Sequence, residues 1–132
     1  MTVRTGRPAS LLVAAGLLLI IGLSGVSAGF SLIAAMGFAR DAPWVGVEIG
    51  AGTGTYGVLS TVAGIGLLAR RRWAWWLGTV TIGAGWLFLV GLVIALGSVD
   101  GVFAFGIAVW SLNIVCLAAP ATRAGVGVRL RR

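Results

Sequence analysis

The chain has no histidine, lysine or glutamine, and its 132 residues include a single cysteine, Cys116. Without histidine it lacks the usual general base, the Ser-His-Asp triad and the imidazole ligands of haem and zinc. One cysteine cannot form an internal disulfide, a CxxC redox pair or a four-thiolate metal site. We therefore expect no enzyme activity, no catalytic residue and no bound metal or cofactor.

Charge is equally scarce. Charged residues make up 10% of the chain, against 59% for the hydrophobic set, and glycine adds 22 residues. A soluble domain usually carries about 25% charged residues. Too few polar side chains remain to cover a surface that faces water, so the composition predicts a protein embedded in lipid.

Four apolar segments are long enough to cross about 30 Å of hydrocarbon as helices. They cover residues 11–39, 45–69, 73–96 and 102–119. The separators between them are short, which is typical of antiparallel neighbours. The segments are also far longer than the roughly 9–11 residues of a membrane barrel strand. The sequence predicts an all-α polytopic membrane protein, an up-down-up-down bundle of four transmembrane helices in one domain, with a basic tail at 120–132.

The arginines predict the orientation of this bundle. Nine of the ten fall on one side of the predicted membrane, and Arg40 stands alone on the other. The nine are Arg4, Arg7, Arg70, Arg71, Arg72, Arg123, Arg129, Arg131 and Arg132. The acids lie on or near the opposite side, as Asp41, Glu48 and Asp100. Because arginine accumulates on the cytoplasmic side, both termini are predicted to be cytoplasmic. The use of arginine without lysine, with abundant glycine and alanine, is typical of a bacterium with a GC-rich genome, so we expect the bacterial plasma membrane.

The first segment also admits a second interpretation. Arg4, Arg7, the apolar run after them and Val26-Ser27-Ala28 are compatible with a secretory signal and its cleavage site. The apolar stretch continues to Ala39, whereas the core of a signal is about 7–15 residues long. We therefore favour a membrane span.

Glycines recur at helical spacing in the first two segments. The GxxxG pairs are formed by Gly25 and Gly29, and by Gly46, Gly50 and Gly54. Since helices in lipid associate through close packing of small residues, these glycines are predicted to pack the helices of one chain, with self-association as the alternative. Five glycines between residues 46 and 57 also permit a broken or re-entrant helix, but we favour a continuous one.

Three polar residues inside the predicted spans are the candidates for function. Glu48 is the only acidic or basic residue within a span, although it lies about one turn past Trp44, where it can reach water or pair with Arg40. Asn113 lies near the middle of the fourth segment, where a lone asparagine usually forms an interhelical hydrogen bond; a substrate contact is the alternative. Tyr56 is the third candidate and can act with either Glu48 or Asn113.

Tryptophans and arginines mark the predicted membrane boundaries. Indole rings prefer the interface, which predicts anchors at Trp44, Trp73, Trp75 and Trp76. Contact with anionic headgroups or an acidic partner is predicted for Arg70, Arg71, Arg72, Arg129, Arg131 and Arg132. This distribution accounts for the net charge of +7, so no nucleic acid is implied.

The second segment ends in a short basic turn that runs straight into a tryptophan-rich third segment, over residues 64–78, and Val109-Trp110-Ser111-Leu112 follows in the fourth. This order of features resembles small four-span actinobacterial membrane proteins of unknown function. The resemblance covers the middle and end of the chain. It implies the same four-span fold and no particular activity.

Two functions fit these observations best. The first is a non-catalytic accessory or scaffold subunit of a larger membrane complex, respiratory or envelope, with lipid and other subunits as partners. The alternative is a small homo-oligomeric transporter or channel that uses Glu48 and Asn113. An enzyme acting on lipid is a third and weaker hypothesis, because no acid, base, nucleophile or metal-ligand set is present.

Overall fold

The computed structural model describes residues 8–36, 43–97 and 101–127, and within them the chain forms five α-helices. They are α1 (Ala9–Met36), α2 (Pro43–Leu68), α3 (Arg72–Leu96), α4 (Gly101–Ala118) and α5 (Pro120–Gly125). The described ranges contain no strand, which confirms the all-α class. Three of the helices, α1, α2 and α3, are long and apolar enough to cross a membrane, and α4 contributes a shorter apolar stretch. This supports a membrane protein.

The glycine-rich start of α2 is a continuous helix, as favoured from the sequence. Two threonines on this helix satisfy their own hydroxyl groups. The Thr53 hydroxyl donates to the Ile49 carbonyl at 2.8 Å, and the Thr61 hydroxyl donates to the Gly57 carbonyl at 2.9 Å. Such back-bonding lets a hydroxyl lie in an apolar bundle without a partner on another helix.

The antiparallel helices α1 and α2 meet backbone to backbone. A Cβ atom added to Gly29 would lie 2.6 Å from both the Gly50 oxygen and the Gly54 nitrogen. One added to Gly25 would lie 3.0 Å from the Gly57 Cα. One added to Gly22 would lie 2.8 Å from the Gly57 oxygen. No side chain fits at these positions, so glycine is what allows the two helices to approach so closely.

On α2 the glycines that are enclosed by α1 are not all those that the GxxxG spacing predicts. Gly46 and Gly50 are buried, but a Cβ added to Gly54 would meet nothing within 4 Å. Gly57, which is not part of the GxxxG pairs, is enclosed by the backbone of α1 at Val26 and Gly22. At about 100° per residue, Gly50 and Gly57 are separated by only about 20° around the helix, whereas Gly54 is rotated by about 40–60° from each.

The buried apolar side chains collect at one end of the bundle, where α1 and α3 begin and α2 and α4 end. They are Leu11, Ala14, Ala15, Leu18, Ala63, Leu67, Ala74, Trp75, Ile82, Leu117 and Val126. All four long helices meet at Gly78. A Cβ there would lie 3.2 Å from Leu18, 3.7 Å from Ala63 and 3.9 Å from Leu117. We call this end the capped end.

The turn from α2 to α3 closes the capped end. The Arg71 N–H donates to the Gly66 carbonyl and the Arg70 N–H to the Leu67 carbonyl, both at 2.9 Å, which is the pattern of a Schellman motif. The left-handed position of this motif usually holds glycine, but here it holds Arg70, with φ at 55°. A non-glycine residue in that region costs about 1–2 kcal/mol, so the turn keeps a positive charge at the expense of stability.

The glycine contact yields a paired test. Gly57→Ala should lower the free energy of unfolding by about 1–3 kcal/mol, because the new methyl group meets backbone atoms of α1 that must move apart. Gly54→Ala should leave stability unchanged or raise it, since its methyl group points into open space and alanine favours the helix. Unfolding by SDS titration in mixed micelles measures both. Equal losses for the two variants would contradict this geometry.

Candidate functional site

The interior of the bundle contains polar atoms that have no hydrogen-bond partner among the described residues. They are both Nδ2 and Oδ1 of Asn113, and the Tyr56 hydroxyl and Ser60 Oγ, which lie near each other on α2 without hydrogen-bond geometry. Ser60 and Asn113 are fully buried. Leaving such a group unpaired in an apolar interior costs about 1–3 kcal/mol, so buried polar groups normally have partners. We call Tyr56, Ser60 and Asn113 the polar layer.

The polar layer has members on two parallel helices, with Tyr56 and Ser60 on α2 and Asn113 on α4. The Tyr56 ring on α2 packs on the Trp110 ring on α4, with ring centroids 5.7 Å apart. Ser60 follows Tyr56 by four residues and Asn113 follows Trp110 by three, so each lies on the same helix face as its aromatic neighbour. Both helices advance towards the capped end, so Ser60 and Asn113 reach levels that differ by only about 2 Å along the bundle.

Contacts one turn closer to the capped end also place Ser60 and Asn113 at similar levels of the bundle. Ala63 is three residues beyond Ser60, and Leu117 is four beyond Asn113; both lie within 4 Å of a Cβ built on Gly78. Ser60 and Asn113 therefore lie between two levels at which α2 and α4 are already held together across α3. The layer is part of the packed interior.

Glycine on α3 makes room for the tyrosine. A Cβ on Gly85 would lie 2.5 Å from the Tyr56 hydroxyl oxygen and 2.9 Å from the Trp110 ring. The tyrosine hydroxyl thus lies against the α3 backbone at a place where no larger residue fits. Tyr56 accordingly belongs with Asn113, one of the two possibilities left open by the sequence.

The interhelical hydrogen bond expected of Asn113 does not form among the described residues, so that expectation is wrong. Other side chains cross between α3 and α4 in its place. The Trp86 Nε1 donates to the Ser111 hydroxyl at 3.1 Å, and the Trp75 Nε1 donates to the Leu117 carbonyl at 2.8 Å. A tryptophan within an apolar run is compatible with packing, lipid contact or hydrogen bonding, and the sequence contained no signal that chose between them.

Glu48 lies apart from the polar layer. Its side chain is exposed, and it precedes Tyr56 by eight residues, which is about 12 Å along the helix. Its predicted partner Arg40 lies outside the described residues. The structure therefore separates Glu48 from Asn113 and Tyr56, the residues with which it was grouped.

The predicted boundary residues divide in two. Trp44, Trp73 and Trp76 are exposed, at 77%, 51% and 56%, in keeping with anchors. Trp75 is 7% exposed, so it is a core residue and its prediction as an anchor is wrong. The arginines of the α2–α3 turn, Arg70, Arg71 and Arg72, are exposed, while Arg129, Arg131 and Arg132 lie outside the described residues.

At the capped end, three consecutive carbonyl groups of α4 receive hydrogen bonds from side chains. Pro120 has no N–H, so the Cys116 carbonyl loses its helical donor, and the Thr122 hydroxyl donates to it at 2.7 Å. The Trp75 Nε1 donates to the Leu117 carbonyl. The Arg123 guanidinium donates to the Ala118 carbonyl through Nε, at 2.7 Å, and through Nη2.

The same threonine joins the start of the predicted basic tail to α1. The Thr122 and Ser10 hydroxyl oxygens are 2.8 Å apart, and Thr122 is fully buried. Residues 120–125 are therefore a short packed helix, α5, which was predicted only as part of the basic tail. Pro120 at the first helical position was the available signal.

The polar layer supplies hydrogen-bond donors and acceptors but no charge. It contains a phenol, an alcohol and an amide, which suit a small neutral molecule that can both donate and accept hydrogen bonds. The described residues contain no group of three or more His, Cys, Asp or Glu side chains that could hold a metal ion.

No family model, curated protein or solved structure matches this chain. The resemblance to four-span actinobacterial proteins stays a prediction. The polar layer, Glu48 and the capped end are therefore the features that bear on function.

Replacing the buried amide of Asn113 tests whether a bound water or solute molecule pairs with the polar layer. We expect Asn113→Leu to raise the free energy of unfolding by about 1–3 kcal/mol, because it removes two unpartnered polar atoms and keeps a similar volume. Trp86→Phe should lower it by about 1 kcal/mol, because a hydrogen bond is lost. Both are measured by SDS titration in mixed micelles. A loss of stability in Asn113→Leu would mean that a bound molecule pairs with the amide.

Proposed function

We propose that the chain is a non-catalytic accessory or scaffold subunit of a larger complex in a bacterial plasma membrane, which it crosses four times with both termini cytoplasmic. The 18 residues of α4 extend about 27 Å, close to the thickness of the hydrocarbon core. The beginning of α1, the α2–α3 turn and α5 meet at the capped end. The exposed arginines Arg70, Arg71 and Arg72 lie there as well, which supports a cytoplasmic capped end.

The position of Glu48 carries the proposal of a partner. The carboxylate of Glu48 is exposed on α2, about two turns from the polar layer, and lies outside the packed interior of the bundle. Acidic residues in membrane spans are normally paired or face water. A positively charged or hydrogen-bonding group on a neighbouring subunit would provide that pairing.

The surface away from the capped end offers area for such a neighbour. Large apolar side chains stay exposed there, including Phe30 at 75%, Phe88 at 70%, Ile94 at 76% and Phe105 at 72%. On α1 and α2 the buried positions of this half include the glycines Gly29, Gly46 and Gly50. The helices of this half therefore present apolar side chains outward, to lipid or to another subunit.

Native mass spectrometry after gentle solubilisation tests the accessory role. We expect the wild-type chain in a defined heteromeric complex. Glu48→Lys should reduce the fraction in that complex at least fivefold, because it opposes the proposed partner charge, whereas Glu48→Gln should retain most of it through hydrogen bonding. A chain found only as a monomer or a homo-oligomer would refute the accessory role.

The polar layer favours a second candidate, a small homo-oligomeric transporter or channel. Here Tyr56, Ser60 and Asn113 would pass a small neutral solute from one hydrogen bond to the next, and Glu48 would lie near the mouth. Stopped-flow light scattering on proteoliposomes, with glycerol and water as the probes, measures this. For this candidate, Asn113→Leu should abolish the excess permeability, whereas the surface variant Thr55→Val should keep it. Absence of excess permeability in the wild-type protein excludes glycerol and water as its cargo.

A further inference from the structure

A groove at the capped end is separate from both the polar layer and Glu48. It lies between α3, α4 and α5 and has a volume of about 260 Å³. Its lining consists of Trp75, Thr79, Ile114, Leu117, Ala118 and Arg123. All six belong to the described residues, and the groove is open along one side.

The walls of the groove are apolar in effect. The Trp75 Nε1 already donates to the Leu117 carbonyl, and the Thr79 hydroxyl donates to the Trp75 carbonyl at 2.8 Å. With these groups satisfied, the walls offer indole, aliphatic and methyl surface. An occupant therefore gains by placing apolar atoms in the groove.

The mouth of the groove is positively charged. Arg123 is held in place by hydrogen bonds from its Nε and Nη2 to the Ala118 carbonyl, and its guanidinium carries further N–H donors besides these. Arg72 precedes Trp75 by three residues on α3, so it continues the same face towards the end of the bundle. A Cβ on Gly127 would lie 3.9 Å from the Arg72 Nε, which places this side chain beside the segment that follows α5.

We propose that this groove binds one anionic phospholipid, with an acyl chain along Trp75, Ile114 and Leu117 and the phosphate on Arg123 and Arg72. Basic pockets between helices at the membrane boundary are suited to such headgroups. A free phosphate ion would gain nothing from the apolar walls. A partner helix, about 10 Å across with its side chains, could insert only one or two side chains into a volume of about 260 Å³. The inference rests on the proposed membrane embedding and not on the accessory role.

The test measures which lipids stay on the purified protein. The chain is reconstituted in nanodiscs of equal phosphatidylglycerol and phosphatidylcholine, released, and examined by native mass spectrometry. We expect one retained phosphatidylglycerol per chain. Arg123→Gln and Arg72→Gln should each lower the ratio of retained phosphatidylglycerol to phosphatidylcholine about fivefold, which corresponds to about 1 kcal/mol per arginine near a membrane surface.

Two further variants separate groove binding from general attraction. Ala118→Phe should displace the lipid by filling the groove, without removing any charge. Arg71→Gln, at an exposed arginine of the same turn that does not line the groove, should lower the ratio much less than Arg123→Gln does. Equal losses in Arg71→Gln and Arg123→Gln, with no effect of Ala118→Phe, would overturn the proposal in favour of diffuse electrostatic attraction.

The remaining outcomes are equally decisive. Equal retention of phosphatidylcholine would overturn the selectivity for anionic lipid. Full displacement of the lipid by inorganic phosphate at millimolar concentration would show that the arginines alone form the site. A protein that does not insert into nanodiscs would refute the membrane embedding itself. If the wild-type chain retains the lipid but is not found in a heteromeric complex, only the accessory role is refuted.

Thermal unfolding of each variant shows whether Arg123→Gln and Ala118→Phe keep the fold. A folded Ala118→Phe chain that still retains the lipid would overturn the groove as the lipid site.

Discussion

The backbone contact between α1 and α2 is the constraint on which the rest of the bundle depends. In lipid, apolar side chains gain little by leaving one apolar surface for another, so two helices associate firmly only where their backbones can touch. Gly22, Gly25 and Gly29 allow this on α1, and Gly50 and Gly57 on α2. The resulting pair forms a rigid support. The remaining helices join it mainly at the capped end, where Leu18, Ala63 and Leu117 meet around Gly78.

Polar groups have hydrogen-bond partners at the capped end but lack them in the polar layer, among the described residues. At the capped end, the carbonyl groups exposed by Pro120 and by the end of α4 are matched by Thr122, Trp75 and Arg123. One turn further in, the polar layer contains donors and acceptors with no partner among the described residues. This layer therefore contrasts with the end of α4, where side chains satisfy the free carbonyl groups. A bound molecule that paired with the polar atoms of the layer would be stabilised there.

The candidate functions use different surfaces of the same molecule. Glu48 and the exposed apolar side chains of the far half are directed outward, towards a partner or lipid. The polar layer is directed inward, towards a solute. The groove beside Arg123 is directed towards the membrane boundary and is compatible with either role, because a bound anionic lipid would stabilise the capped end without closing the interior or covering Glu48. Arg70 places a positive charge at this end in a left-handed position that usually holds glycine.

The sequence by itself determined the helical class, the apolar character and the approximate ends of the long helices, because each follows from the local run of residue types. It also predicted a continuous α2 and indicated glycine faces on α1 and α2. Only the tertiary structure decided that Gly57, which is outside the GxxxG steps, lies in the contact, because a few tens of degrees of helix rotation separate a facing glycine from a peripheral one. Likewise, Trp75 became a core residue, Asn113 was left unpaired and Glu48 was separated from both. Those outcomes depend on which faces of four helices meet, and no local pattern of residues contains that information.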